Sequence, residues 1–233
     1  AFTELTVTAP YNDLGAVADA MMRWGREVAC VIVEPVAGNM GCVLPTAGFL
    51  EGLRALCDEH GALLVFDEVM TGFRVARGGY QEICGVRPDL VTLGKVIGGG
   101  LPIGAYGGRA DLMRRISPAG DVYQAGTLSG HPLAVAAGIA TLDATEEEGF
   151  YAKLEARSAE LQVGLERGAK DAQVPLWIGR QGSMLCPYLS AGPVTSFEHV
   201  MRTDKERWKR FFHAMLERGI LLPPSPFEAW FVS

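Results

Sequence analysis

Three short apolar runs set the rhythm of the first two thirds of the chain. "VACVIVEP" (28–35), "ALLVFDEV" (62–69) and "DLVTLGK" (89–95) are each nearly continuous and rich in β-branched residues, the pattern of buried strands. Between the first two, "AGFLEGLRALCDEHG" repeats Phe49, Leu50, Leu53, Leu56 and Cys57 at helical spacing; Thr46 precedes it and Gly61 ends it. "PIGAYGG" (102–108) reads as a fourth strand, and Pro132 opens a long helix, "PLAVAAGIATLDATEEE". Continuous apolar strands separated by helices predict a mainly parallel α/β sheet covered on both faces.

After Gly149 the pattern changes. Leu154, Leu161 and Leu165 lie on one face of a charged helix. "LWIGRQGSMLCPYLS" (176–190) reads as two strands about a glycine turn. In a helix over 204–219, Trp208, Phe211, Phe212, Met215 and Leu216 form a stripe at i, i+3, i+4, i+7 and i+8, expected to pack on a small sheet. The reading is therefore a larger α/β domain over 1–148 and a smaller α+β domain over 149–233.

Composition narrows the function without choosing it. Of 233 residues, 48% are hydrophobic and 21% charged, enough for a packed core, and the net charge of −6 disfavours nucleic acid or an anionic membrane as partner. No apolar run approaches the roughly 18 to 20 residues that span a bilayer, and the opening "AFTELTVTAPYND" does not read as a signal peptide. The five cysteines (Cys30, Cys42, Cys57, Cys84, Cys186) are odd in number and form no C-x-x-C pair. They read as reduced thiols of a cytoplasmic protein, with no disulfide frame or metal site. Both ends read as cut: there is no initiator methionine, and the chain stops in the strand-like "FEAWFVS".

The three runs end in functional groups: Glu34, then Asp67 and Glu68, then Lys95. In an open parallel sheet, ligands bind outside the carboxyl ends of strands, so these groups are expected to share one sheet edge. Each has an ordinary alternative, an acid as a helix cap or loop ion pair and a lysine as a solvated side chain. "GKVIGGG" fails the Walker pattern, because Asp89 stands five before Gly94 and Val96 follows Lys95. It also fails G-x-G-x-x-G, because Ile103 occupies the last position. Its glycines are expected to let backbone approach a ligand, or to act as a plain connector. A lysine in partly apolar surroundings loses its proton more easily and then attacks aldehydes, giving a Schiff base. Pyridoxal phosphate is the aldehyde most often held so. It needs an acid at its pyridine nitrogen, for which Asp67 is the candidate, and small donors at its phosphate, which "AGTLSGHP" (125–132) supplies before a helix.

"VFDEVMTGFRV", "DLVTLGKVIGGGLPIGAYGG" and "VYQAGTLSGHPLA" resemble the class III aminotransferases, which bind pyridoxal phosphate. "VEPVAGNMG" and "PSPFEAWF", with Met70 and Glu228, resemble the aminomutase branch of that family. The resemblance implies a fold type I transferase, with Lys95 holding the cofactor and shuttling protons and Asp67 at the pyridine nitrogen. It implies Asn39 near the phenolic oxygen, Thr127 on the phosphate of a neighbouring subunit, and Glu228 excluding ordinary amino-acid donors. Glu34 would stand behind these groups, and His131 receives no role. The implied reaction converts (S)-4-amino-5-oxopentanoate to 5-aminolevulinate for tetrapyrrole synthesis, using the pyridoxal and pyridoxamine forms, in a homodimer with active sites at the subunit interface. The location would be the cytoplasm, or a plastid after loss of a transit peptide. The alternatives are an ω-aminotransferase using a diamine or amino ketone, and an inactive scaffold. The family's N-terminal phosphate cup, ring-stacking residue and lid have no counterpart here, so these expectations concern the intact protein.

Overall fold

A computed structural model describes residues 2–233. They form two compact units, one of Met21–Pro35 and Leu50–Phe150, the other of residues 2–20, Val36–Phe49 and Tyr151–Ser233. Helices α1 (Leu14–Trp24) and α2 (Phe49–His60) each begin in the second unit's residues and end in the first's.

The first unit carries a four-stranded sheet in the order β1 (Cys30–Val33), β2 (Leu63–Asp67), β3 (Leu90–Leu93), β4 (Ala105–Gly108). β1, β2 and β3 run parallel, with Cys30 opposite Leu63 and Asp67 opposite Thr92. β4 runs antiparallel to β3, with Leu93 opposite Ala105. The short link from Lys95 to Gly104 explains the reversal, because a parallel return needs a crossover of a dozen residues or more. Helices α3 (Gly79–Cys84), α4 (Ala110–Met113) and α5 (Pro132–Thr145) complete the unit.

The expectation of a sheet covered on both faces holds only for its interior. β2 lies between two strands and buries Leu64, Val65 and Phe66. β1 and β4 are edges: Ile32 is 62% exposed, and three of the four residues of β4 are exposed. At the amino-terminal end of the strands, the buried Asp89 ties several elements together. It accepts from the Leu64 amide (2.7 Å), from Arg54 of α2 (2.8 Å) and from Arg109 beyond β4 (2.8 Å).

The second unit packs α6 (Phe150–Asp171), α7 (Phe197–Met201) and α8 (Lys205–Glu217) with an antiparallel sheet of β5 (Trp177–Gln181), β6 (Met184–Tyr188) and β7 (Trp230–Phe231). Gly182, at φ +57, makes the turn between β5 and β6. Every residue of β6 is buried. Its Leu185 meets Trp208 of α8 and Trp230 of β7 in a core joined by Leu165, Ile178 and Phe211. Asp204 caps α8 by accepting from the Arg207 amide at 2.9 Å. The predicted α8 stripe is buried at Trp208 and fades by Leu216, which is exposed. Among the described residues no helix is long and apolar enough to cross a membrane.

Candidate active site

Parallel pairing brings Glu34, Asp67 and Lys95 to one edge of the sheet. Glu34 follows β1, Asp67 ends β2, and Lys95 lies three residues beyond Thr92, the β3 partner of Asp67. This is the carboxyl edge, where α/β sheets bind ligands. Asp67 is half-buried, and its Oδ1 accepts from the Val69 amide (3.1 Å) and from Thr92 Oγ1 (3.2 Å). Both donors are neutral, so they orient the carboxylate without pairing its charge. Thr92 was not among the expected site residues; its signal is the in-register position opposite Asp67, which appears only once the strands are paired.

Lys95 opens a 3-10 turn, Lys95–Gly98, at φ +44. A β-carbon disfavours this left-handed region by roughly 1–3 kcal/mol, and such residues concentrate at functional sites. The apolar enclosure expected around Lys95 is not formed by this chain, in which the side chain is exposed.

Two of the three glycines after Lys95 fit closely against the protein itself. A Cβ on Gly98 would lie 2.9 Å from the Ile103 side chain. One on Gly99 would lie 2.5 Å from Thr141 Oγ1 and 2.6 Å from the Ala137 carbonyl, both in α5. In return, a Cβ on Gly138 of α5 would lie 2.3 Å from the Ile97 carbonyl. Gly98 and Gly99 therefore seat the turn against Ile103 and the backbone of α5, which fixes where the turn that begins at Lys95 can run.

Glu68, next to Asp67, is fully buried. Its carboxylate accepts from Thr71 Oγ1 (2.9 Å), the Tyr80 amide (2.6 Å), and the Gln81 amide and Nε2 (3.2 Å each). It thereby caps the start of α3, where the dipole favours an anion. Gly79, at φ +71, gives it room, since a Cβ there would lie 2.2 Å from Oε2. The sequence offered Glu68 as one of two adjacent strand-end acids; the structure gives it an anchoring role and leaves the open edge to Asp67.

Thr127 is exposed in the turn 127–130 that leads into α5, where the Ser129 amide donates to the Gly126 carbonyl at 2.9 Å. Asn39 and Glu228 belong to the second unit, and both are exposed. Asn39 sits in a loop closed at its base by Ala37 and Val43, which exchange two backbone hydrogen bonds of 3.0 Å. The segment before Glu228 is held by Trp208 Nε1, which donates to the Pro224 carbonyl at 3.1 Å, and by Lys205, whose ammonium lies 5.3 Å from the Phe227 ring centre. None of the cysteines is bonded to another. Burial pushes the Cys42 and Cys186 thiols up to about 12 and Cys57 up to about 11, so these three are poor nucleophiles at neutral pH.

Residues 5–226 match the model of the aminotransferase class-III family, and the chain belongs to that family. Over its whole length of 233 residues it is 55% identical to the glutamate-1-semialdehyde 2,1-aminomutase of Myxococcus xanthus (strain DK1622), of which it covers 54%. Among solved structures it resembles an omega-transaminase from Sphaerobacter thermophilus, with a TM-score of 0.90 at 29% identity, covering 97% of this chain and 52% of that one. It also resembles a glutamate-1-semialdehyde-aminomutase from Pseudomonas aeruginosa PAO1 in complex with PMP, with a TM-score of 0.83 at 27% identity, covering 96% and 51%. The chain spans about half the length of the curated relatives it matches.

Proposed function

We propose that this chain supplies the lysine-bearing part of a pyridoxal-phosphate site in an aminomutase that converts (S)-4-amino-5-oxopentanoate to 5-aminolevulinate. The observation that carries this is the pairing of Asp67 with Thr92 across β2 and β3, which puts an uncompensated carboxylate and the Lys95 amine on one sheet edge. The donor set suits the cofactor: an acid oriented by neutral groups, a primary amine at a strained strand end, and hydroxyls and amides ahead of α5. When bound, pyridoxal phosphate supplies an aldehyde that condenses with amines and a ring that withdraws electrons.

Around it, Asp67 would hold the pyridine nitrogen, and Lys95 would hold the aldehyde group and move protons at the reacting carbons. Asn39 would stand by the phenolic oxygen. Thr127 would donate to the phosphate across a homodimer interface, for which the exposed Leu133 and Ile139 of α5 offer apolar surface. Glu228 repels the α-carboxylate of ordinary amino-acid donors. The unpaired thiols fit a cytoplasmic protein.

The test is turnover of the semialdehyde by the intact protein with no added keto acid. Aminomutase activity is expected without an acceptor and is expected to vanish in Lys95→Ala. Turnover that appears only when an acceptor is supplied would favour the second reading, an ω-aminotransferase, to which the structural likeness to the Sphaerobacter enzyme lends support.

A further inference from the structure

A phenol of β6 bonds to the main chain of the loop that carries Asn39. Tyr188 Oη donates to the Met40 carbonyl at 3.0 Å and accepts from the Cys42 amide at 2.7 Å. Tyr188 is fully buried, and burial pushes its phenol well above the ordinary value, so it keeps the proton that it gives to Met40. Gly41, between the two bonded residues, sits at φ +96. A Cβ there would lie 2.2 Å from Tyr188 Oη and 2.8 Å from Cys186 Sγ. On β5, a Cβ on Gly179 would lie 1.9 Å from the Cys42 carbonyl, so that strand also meets the loop at backbone distance.

Residues 184, 186 and 188 alternate along β6 and share one face. On that face Cys42 Sγ reaches the Met184 carbonyl at 3.7 Å, and Cys186 Sγ reaches the Pro226 carbonyl at 3.7 Å, two residues before Glu228. One strand face therefore grips both the Asn39 loop and the segment leading to Glu228. A phenylalanine at 188 would fill nearly the same space, so what the tyrosine adds is its hydroxyl, and the hydroxyl bonds to main-chain groups on either side of Gly41.

We propose that Tyr188 is a positioning residue: its hydroxyl sets where Asn39 stands toward the phenolic oxygen of pyridoxal phosphate, with Cys186 tying the Glu228 segment to the same strand. This rests on the role assigned to Asn39 above. The experiment uses the intact protein loaded with pyridoxal phosphate and follows the pH midpoint of the cofactor's visible absorbance band, together with the cofactor dissociation constant. Tyr188→Phe shifts the midpoint in the direction of Asn39→Ala, by a smaller amount. It weakens cofactor binding about two- to tenfold, the equilibrium effect of one ordinary hydrogen bond. Ser158→Ala, which removes a buried hydroxyl from α6 in the same unit, moves neither reading.

A midpoint unchanged in Tyr188→Phe but shifted in Asn39→Ala overturns the inference and leaves the Asn39 role standing. Midpoints unchanged in Asn39→Ala, whatever Tyr188→Phe does, overturn the Asn39 role and the inference with it. A further measurement needs no variant: the Cys42 amide of the wild-type protein exchanges slowly with solvent, and fast exchange would remove the clamp on which the inference stands.

Discussion

Asp67 and Asp89 stand at opposite ends of the same pair of strands, and their partners differ in kind. Asp89 is 5% exposed and receives two guanidinium groups and an amide. Burial raises its pKa, but the Leu64 amide, Arg109 and Arg54 outweigh that and hold it below the usual carboxylate range. Asp67 is half-buried and receives one amide and one hydroxyl. The first acid is neutralised inside the fold and acts as a fastening. The second is oriented but not neutralised, so its charge stays available to a cationic ligand.

The contrast breaks most visibly under matched substitutions. Asp67→Asn keeps the shape and removes the charge, and turnover by the intact enzyme is expected to fall about 10²- to 10³-fold, the usual effect of deleting one preorganised electrostatic group. Its thermal unfolding should stay close to wild type. Asp89→Asn should do the reverse: roughly 2 kcal/mol of stability lost, as for hydrogen bonds to charged groups, with kcat preserved in the folded fraction. Denaturant unfolding and initial rates on both variants decide the matter. Equal stability losses in the two would end the distinction.

Asp67 and Lys95 were legible because both follow strands whose apolar runs are unmistakable, and parallel pairing then fixes their common edge. The reversal of β4 is carried by the length of the link after Lys95, which is too short for a parallel return, and not by the apolar pattern of the strand. Thr92 and Glu68 were harder. Thr92 matters through a register that no local pattern encodes, and Glu68 through amides of α3 that reach it only after the chain turns at Gly72 and Gly79. The close fit of Gly98 and Gly99 is hidden for a related reason. Sequence reports that a side chain is absent, not what fills the space: beside Gly99 it is α5, beside Gly98 the Ile103 side chain, and beside Gly100 nothing within 4 Å. Tyr188 gave no signal at all, because an aromatic in a buried strand reads as core.

The glycines also sharpen the contrast between a seated and a free position. Gly138→Ala would gain about 1 kcal/mol of helix propensity. It would also drive a β-carbon into the Ile97 carbonyl, an overpacking that costs about 1–3 kcal/mol. A net loss of up to about 2 kcal/mol is expected, with reduced cofactor affinity because the turn that begins at Lys95 must move. Gly164→Ala in α6 meets nothing within 4 Å and should stabilise by about 0.5–1 kcal/mol without touching cofactor binding. Melting curves of the two variants should move in opposite directions; shifts of the same sign would mean that α5 does not seat the turn.

The smallest effect is the pH dependence of stability, and its sign follows from Asp89. A carboxylate with a lowered folded pKa stabilises fully above its unfolded value of about 3.9 and loses that contribution as pH falls toward the folded value. Wild-type stability should therefore decline below about pH 4, with part of the decline owed to Asp89. Asp89→Asn, which cannot titrate there, should show a shallower slope over the same interval and the same slope near neutrality. Asp111 and Glu155 are lowered as well, by hydrogen bonds from Arg109 and Arg180, but both lie at the surface, where screening leaves them little weight. If unfolding curves of the two proteins run parallel from pH 7 to pH 3, the arginine pair does not hold the Asp89 charge and the fastening at this end of the sheet has another origin.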